Sequence, residues 1–150
     1  MASVAHFAVG LSAAKAYQGP TESMGERVRV GLWMCMLSML PDADVIAFQL
    51  GIPYSHPYGH RGAWHSPVMA VLAAALLAPY LAKLFDQPRV RTFVVATLVI
   101  ASHGLLDTLT DGGEGIALLW PFSDERYFAP FRPIPVSPLG MAFLSERGLM

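Results

Sequence analysis

The sequence predicts an all-α protein, a helical membrane bundle of about four helices with a C-terminal segment rich in Gly, Pro and aromatic residues. Three observations support this fold class. Residues of the set AVILMFWYC make up 54% of the chain and charged residues only 14%, against about 25% charged in soluble domains. Two apolar runs approach the roughly 20 residues that span a bilayer. Past residue 112, Gly and Pro interrupt every helical pattern.

Four segments are predicted to be helices: about residues 3–17, 27–40, 67–85 and 90–107. Ser3 is a candidate cap of the first helix. The second is expected to stop at Pro41, because proline interrupts the helical hydrogen bonds. Ser66 as N-cap and Pro67 at the first helical position mark the start of the third. The fourth contains β-branched residues that also suit a buried strand, but its length favours a helix that ends before TDGGEG.

The third and fourth segments are long enough to span a bilayer, whereas the first two could be tilted, partial or packed against the others. A soluble bundle with an unusually apolar core is the alternative. The length of 150 residues predicts a single domain, 1–150. Ser145 and Glu146 resemble the start of another helix, so this domain could be truncated at its C-terminus.

Charge and cysteine content exclude some classes of protein. A net charge of -1 gives no electrostatic basis for binding nucleic acid. Cys35 is the only cysteine, so an intrachain disulfide and a Cys-rich zinc site are both excluded. Cys35 is expected to be a small buried hydrophobe.

In an up-and-down bundle the basic residues gather at one end, which the positive-inside rule predicts to be cytoplasmic. They are Lys15, Arg27, Arg29, Lys83, Arg89 and Arg91.

The opposite, non-cytoplasmic end collects residues that bind metals. Each helical segment delivers at least one of them: His6, Asp42, Asp44, His60, His65, His103 and Asp107. His103 and Asp107 are four residues apart and share one helical face. Ionisable groups in apolar segments are costly and tend to mark function. Taken alone, His6 is more typical of a packed or helix-capping histidine. Asp42 and Asp44 taken alone are typical of turn residues. Together, the imidazoles and carboxylates suit Zn²⁺, or Mn²⁺ if carboxylates dominate.

Four sequence blocks also resemble the YdjM-like family of bacterial membrane-bound metal-dependent hydrolases. They are LPDAD, HRGAWHS, SHGLLDTLTDGG and WPFSDERYFAPFRPIPVSP. The resemblance extends from His6 to about Gly148. Trp64 stands where the family usually has Thr, a position that is not a candidate ligand. The resemblance implies a helical protein of the bacterial inner membrane with a metal centre assigned to hydrolysis.

The predicted function is a membrane-bound metal-dependent hydrolase of a phosphoester or lipid-linked substrate, using metal-activated water and one or more divalent ions. Arg61 is predicted to pair either with a phosphate oxygen or a ligand carboxylate, or in a structural salt bridge with Asp42 or Asp44. Asp111, one turn beyond Asp107, is predicted to orient a histidine. The alternatives are a non-catalytic membrane protein with a structural metal site and a metal-ion transporter.

The expected partner is a membrane lipid or a lipid-linked small molecule. Trp120, Phe122, Tyr127 and Phe128 could line an acyl groove or form an interfacial aromatic belt. A structural metal site is closed, whereas a catalytic site keeps a position open. Seven candidate ligands exceed the four of one structural zinc, which favours catalysis or a site with several ions. A transporter would place polar residues near the middle of the bilayer. The candidate ligands lie at one end of the bundle instead, so transport is the least favoured of the three functions.

Overall fold

The computed structural model describes residues 2–19 and 23–136, which contain helices and no strand. Its elements in chain order are α1 (Ala2–Tyr17), α2 (Met24–Met39), a 3-10 turn (Leu40–Val45), α3 (Ile46–Gln49), a second 3-10 turn (Ala63–His65), α4 (Pro67–Leu84) and α5 (Arg89–Thr108). Helices α1, α2, α4 and α5 are long, and α3 is a single turn. The predicted bundle of about four helices is confirmed.

Helix α5 lies at the centre, because it packs against each of the other three long helices. It runs antiparallel to α1. Near one end the Tyr17 hydroxyl lies 2.6 Å from the Thr92 hydroxyl, and near the other the His6 ring contacts Asp107. The end of α2 meets the end of α5. The starts of α1 and α4 and the ends of α2 and α5 therefore share one end of the bundle, as the sequence predicts.

Small residues allow these helices to approach closely. A Cβ atom added to Gly10 of α1 would lie 2.7 Å from the Cα atom of Cys35 in α2. Ala70, Ala74 and Ala78 form a buried stripe along α4. Helices in a membrane gain little from the hydrophobic effect, so close packing of this kind stabilises their association. Cys35 is buried, as predicted.

Three helical stretches of the described chain are long and apolar enough to cross a membrane: Met24–Gln49, Pro67–Leu84 and Arg89–Thr108. Their outward side chains are largely apolar, with Leu76 of α4 80% exposed and Leu98 of α5 64% exposed. Such an extended apolar exterior is unstable in water and is typical of a surface that contacts lipid. The chain therefore carries its own membrane-spanning helices.

Helix α2 differs from the prediction at both ends. It begins at Met24, because Ser23 and Glu26 form a capping box in which each side chain binds the other residue's backbone N–H. Pro41 does not end the helical path, since proline is tolerated in a first turn. The path continues instead through the 3-10 turn and α3 as far as Gln49.

The caps predicted for the other helices have mixed outcomes. Ser3 lies inside the first turn of α1 rather than before it. Ser66 is the N-cap of α4, as predicted, and its hydroxyl accepts a hydrogen bond of 3.2 Å from the Met69 N–H. The side chain of Ser66 is thus occupied by capping.

The Gly, Pro and aromatic segment forms an irregular cap from residue 109 to residue 136, as predicted. Two isolated bridges, Thr110 with Ile134 and Ile116 with Tyr127, hold it together. The Arg126 guanidinium ties it to the preceding loop by donating hydrogen bonds to three backbone carbonyls, those of Tyr54, His56 and His60. The helix start predicted at Ser145 and Glu146 lies outside the described residues.

Candidate metal centre

Four side chains bring their donor atoms together at the predicted end of the bundle. Asp42 comes from the 3-10 turn after α2, His65 from the turn before α4, and His103 and Asp107 from α5. One donor atom from each lies within 4.8 Å of all the others. The Nε2 atom of His103 is 3.2 Å from Asp42 Oδ1 and 3.7 Å from Asp107 Oδ2. We call these four residues the ligand tetrad.

The two imidazoles of the tetrad point unpaired nitrogens at this shared centre. Nε2 of His65 and Nε2 of His103 are buried and have no hydrogen-bond partner in the described structure. Buried polar atoms nearly always have a partner. A metal ion coordinated by both nitrogens would supply one, and two imidazoles with two carboxylates match the donors of zinc and related ions. The residues present therefore fit a divalent metal.

The backbone of α2 fixes the protonation of one of these rings. His103 Nδ1 lies 2.7 Å from the carbonyl oxygen of Ser38. A carbonyl oxygen only accepts, so Nδ1 carries the hydrogen and Nε2 is left to coordinate. On the other ring, His65 Nδ1 lies 3.1 Å from Asp44 Oδ2. Ser38 was not predicted, because it acts through its backbone carbonyl.

Asp44 is buried and lies beside the tetrad, outside it. Its Oδ1 atom is 2.6 Å from His60 Nδ1, and its Oδ2 atom accepts a hydrogen bond of 3.1 Å from the Arg61 N–H. Asp44, His60 and His65 form a second group with metal-ligating atoms close together. His65 belongs to both groups, with Nε2 facing the tetrad and Nδ1 facing Asp44.

Arg61 pairs with a carboxylate of the tetrad. Its Nε atom lies 3.3 Å from Asp107 Oδ2, and both side chains are only 4% exposed. Its Nη1 donates a hydrogen bond of 2.7 Å to the Gly112 carbonyl. Of the pairings predicted for Arg61, the structure therefore shows the one with a candidate ligand carboxylate, and its side chain forms no ion pair with Asp42 or Asp44 within the described chain.

His6 reaches the same carboxylate from the opposite side. Its Nε2 atom is 3.2 Å from Asp107 Oδ1, and its ring stacks on His103 with centroids 3.8 Å apart. The structure thus brings His6 to the cluster as a neighbour of two tetrad residues. It lies outside the tetrad itself.

Asp111 is the one predicted site residue that the structure does not bring to the cluster. Helix α5 ends at Thr108, so helical spacing no longer places Asp111 above Asp107. Its side chain instead accepts a hydrogen bond of 2.8 Å from the Val136 N–H, and the residue is exposed. Asp111 therefore braces the irregular cap and contacts no histidine in the described part of the chain.

The tetrad is closed on three sides and open at Asp42. The side chain of Asp42 is 31% exposed, whereas those of His65, His103 and Asp107 are almost fully buried. Burial alone would lower the pKa of His65, but the adjacent carboxylates of Asp42 and Asp44 outweigh that cost and raise the pKa to about 9. The carboxylates around His65 therefore favour a positive charge at this point, either a proton on the ring or a bound cation that displaces it.

Two glycines make room for the site. A Cβ atom at Gly104 would clash with the carbonyl oxygen of His65, so the loop that carries this histidine rests directly on α5. Gly113 has a φ of +87° and a Cβ atom there would clash with the Arg61 guanidinium. These glycines were not predicted as part of the site, although both lie in its motifs, SHG and DGG.

Comparison with known proteins identifies the family of this chain. Residues 1–148 match the family described as YdjM inner membrane protein. The inner membrane protein YbcI of Escherichia coli (strain K12) is 42% identical over 107 residues, and the matched region covers 71% of this chain and 62% of YbcI. The chain thus spans less than two thirds of that relative. No solved structure matches it. This chain belongs to the YdjM inner membrane protein family.

Proposed function

We propose that this inner membrane protein is a metal-dependent hydrolase that acts on a phosphoester or lipid-linked substrate. One observation carries the proposal: two buried, unpaired imidazole nitrogens and two carboxylates converge on a point that opens at Asp42. A buried set of donors holds a cation firmly, and an open edge admits a substrate.

When bound, a divalent cation, Zn²⁺ or else Mn²⁺, supplies the Lewis acidity that makes water a nucleophile near neutral pH. His65, His103 and Asp107 would hold it from the buried side. Asp42 would hold it from the exposed side, where the substrate approaches. Arg61 and His6 each bind one oxygen of Asp107, so they fix the direction in which this carboxylate points.

A structural metal site is the nearest competitor, because two histidines and two aspartates also satisfy a tetrahedral zinc. The exposure of Asp42 favours hydrolysis, since a purely structural ion gains nothing from an open side. Metal transport is less favoured. All four tetrad residues lie at one end of the bundle, whereas transport sites lie near the middle of the membrane.

We further propose that the site faces the non-cytoplasmic side of the inner membrane and meets lipid headgroups there. Six exposed basic residues, named above from the sequence, lie at the opposite end of the helices, against the exposed Arg132 in the described part of the cap, which favours that opposite end as cytoplasmic. The cap at the site end exposes Phe122 (89%) and Phe131 (74%). Exposed aromatic side chains are typical of a membrane interface, so they support a belt rather than an acyl groove.

The test is phosphate release by the purified protein in detergent, with phosphatidic acid and p-nitrophenyl phosphate as probes. We expect release that a chelator abolishes and added Zn²⁺ or Mn²⁺ restores. Asp107→Asn should abolish it, whereas Asp111→Asn, a matched change outside the cluster, should leave it intact. Wild-type protein that binds metal but releases no phosphate from either probe would contradict hydrolysis of phosphomonoesters.

A further inference from the structure

We infer that the buried cluster is built for one divalent cation, held in the ligand tetrad, and that Asp44 is a positioning residue and not a ligand. This inference rests on the metal binding of the proposed function and is independent of hydrolysis. It chooses between two arrangements that the side chains allow, because Asp44, His60 and His65 also form a compact group.

Asp44 already has three polar neighbours that use both of its oxygens. Oδ1 is 2.6 Å from His60 Nδ1, a hydrogen-bond distance, and Oδ2 lies between the Arg61 N–H at 3.1 Å and His65 Nδ1 at 3.1 Å. A carboxylate can only accept in these contacts. For His60, Asp44 therefore places the hydrogen on Nδ1. The contact with His65 Nδ1 is electrostatic and lacks the geometry of a hydrogen bond.

The His65 ring places Nδ1 beside Asp44 and turns Nε2 towards the tetrad. His103 is held by a hydrogen bond from Nδ1 to the Ser38 carbonyl, which leaves its Nε2 facing the same way. The two unpaired Nε2 atoms thus face one centre, with a hydrogen-bonded carbonyl behind His103 and a carboxylate oxygen 3.1 Å from His65 Nδ1. Asp44 already accepts hydrogen bonds on both oxygens, from His60 and from the Arg61 N–H, so a second ion at His65 Nδ1 would have to displace one of them.

The formal charges also match one divalent ion. Asp42, Asp44 and Asp107 are balanced in part by the Arg61 guanidinium, which pairs with Asp107. With the imidazoles neutral, as coordination of a metal requires, this leaves a surplus of two negative charges. One divalent cation neutralises that surplus, and two would leave a net positive charge. Unbalanced charge in a buried site is costly. Arg126 does not enter this balance, because it binds backbone carbonyls and is partly exposed.

The surroundings of His60 agree with a supporting role. Its ring packs edge-on against Tyr54, with centroids 5.2 Å apart, and lies 6.0 Å from Phe48. Neither neighbour supplies a carboxylate, imidazole or thiolate, the groups that most often hold a zinc ion. His60 therefore completes the packing around Asp44.

The experiment is a titration of metal-free protein in detergent with Co²⁺, followed by the visible absorption of the bound ion and by equilibrium dialysis. We expect saturation at about one ion per chain in the wild type. Asp44→Asn and His60→Ala should keep that stoichiometry and the absorption spectrum, with affinity weakened about 10–100-fold for Asp44→Asn. Asp107→Asn should abolish binding, and Asp111→Asn should match the wild type. Helical circular dichroism confirms that each variant is folded.

Three results would overturn the inference. The first is a second ion per wild-type chain that His60→Ala removes. The second is complete loss of binding in a folded Asp44→Asn variant, which would make Asp44 a ligand. The third is no Co²⁺ binding at all. One ion per chain without phosphate release would contradict the proposed function and support this inference. Two ions per chain with phosphate release would support the proposed function and contradict this inference.

Discussion

The two imidazoles of the tetrad have different groups behind them. A backbone carbonyl at Ser38 holds His103, and a carboxylate at Asp44 lies behind His65. The HxxxD spacing predicted that His103 and Asp107 share a face, and the structure agrees. It could not separate Asp42 from Asp44, because the 3-10 turn decides which carboxylate faces the tetrad. Nor could it identify Ser38, since every residue carries a carbonyl.

At this scale Arg61 offers a test of the buried ion pair. Arg61→Ala removes the only guanidinium that the described structure pairs with Asp107. Because the carboxylate stays buried, we expect the free energy of unfolding of the metal-free protein to fall by about 3–5 kcal/mol. Unfolding in mixed micelles, followed by circular dichroism, measures it.

Arg132→Ala is the matched control for that prediction. Arg132 is exposed and lies over the Phe128 ring at 4.8 Å. Its loss should cost no more than about 1 kcal/mol. Equal stabilities of the two variants would show that the Arg61–Asp107 pair does not stabilise the fold.

At the scale of elements, the sequence marks the helix ends better than their exact contacts. Ser66 and Pro67 mark the start of α4 because capping is a local property. The Ser23–Glu26 capping box is equally local and was available in the sequence, but it was not recognised. The role of Gly104 was beyond prediction, since it depends on a loop that contacts α5 from a distant part of the chain.

Gly104→Ala tests that contact between a loop and a helix. The added methyl group would clash with the His65 carbonyl and push the loop away from α5. We expect stability to fall by about 1–3 kcal/mol and Co²⁺ affinity to fall about tenfold or more. The control is Gly31→Ala in α2, where a Cβ atom meets nothing within 4 Å. That variant should keep its metal affinity and gain up to about 1 kcal/mol. Metal affinity equal to wild type in Gly104→Ala would refute the contact.

For the whole molecule, composition predicted the membrane bundle. A membrane protein has an apolar exterior as well as an apolar core, and both raise the hydrophobic content of its sequence. The order of the helices then predicted which ends meet. Composition did not predict the number of membrane spans. The helical path from Met24 to Gln49 continues through Pro41, and α1 is not among the three candidate spans. Pro41 stands in the first turn of the 3-10 helix, where proline is tolerated, and composition does not report such a position.

The proposed orientation can be tested by labelling single cysteines in intact cells. Starting from Cys35→Ala, we compare Ser55→Cys in the exposed loop at the site end with Gly25→Cys at the start of α2. A membrane-impermeant maleimide should label the first and spare the second until the cells are lysed, because the basic end is expected to be cytoplasmic. The opposite pattern would place the metal centre inside the cell.

The central claim is that His65 helps to hold a metal ion at the end of the bundle. The most direct measurement is the elemental metal content of wild-type and His65→Ala protein, purified in detergent without chelators. We predict about one transition-metal ion per wild-type chain and almost none in the variant. Wild-type protein without metal, or a folded His65→Ala variant with unchanged metal content, would contradict the claim.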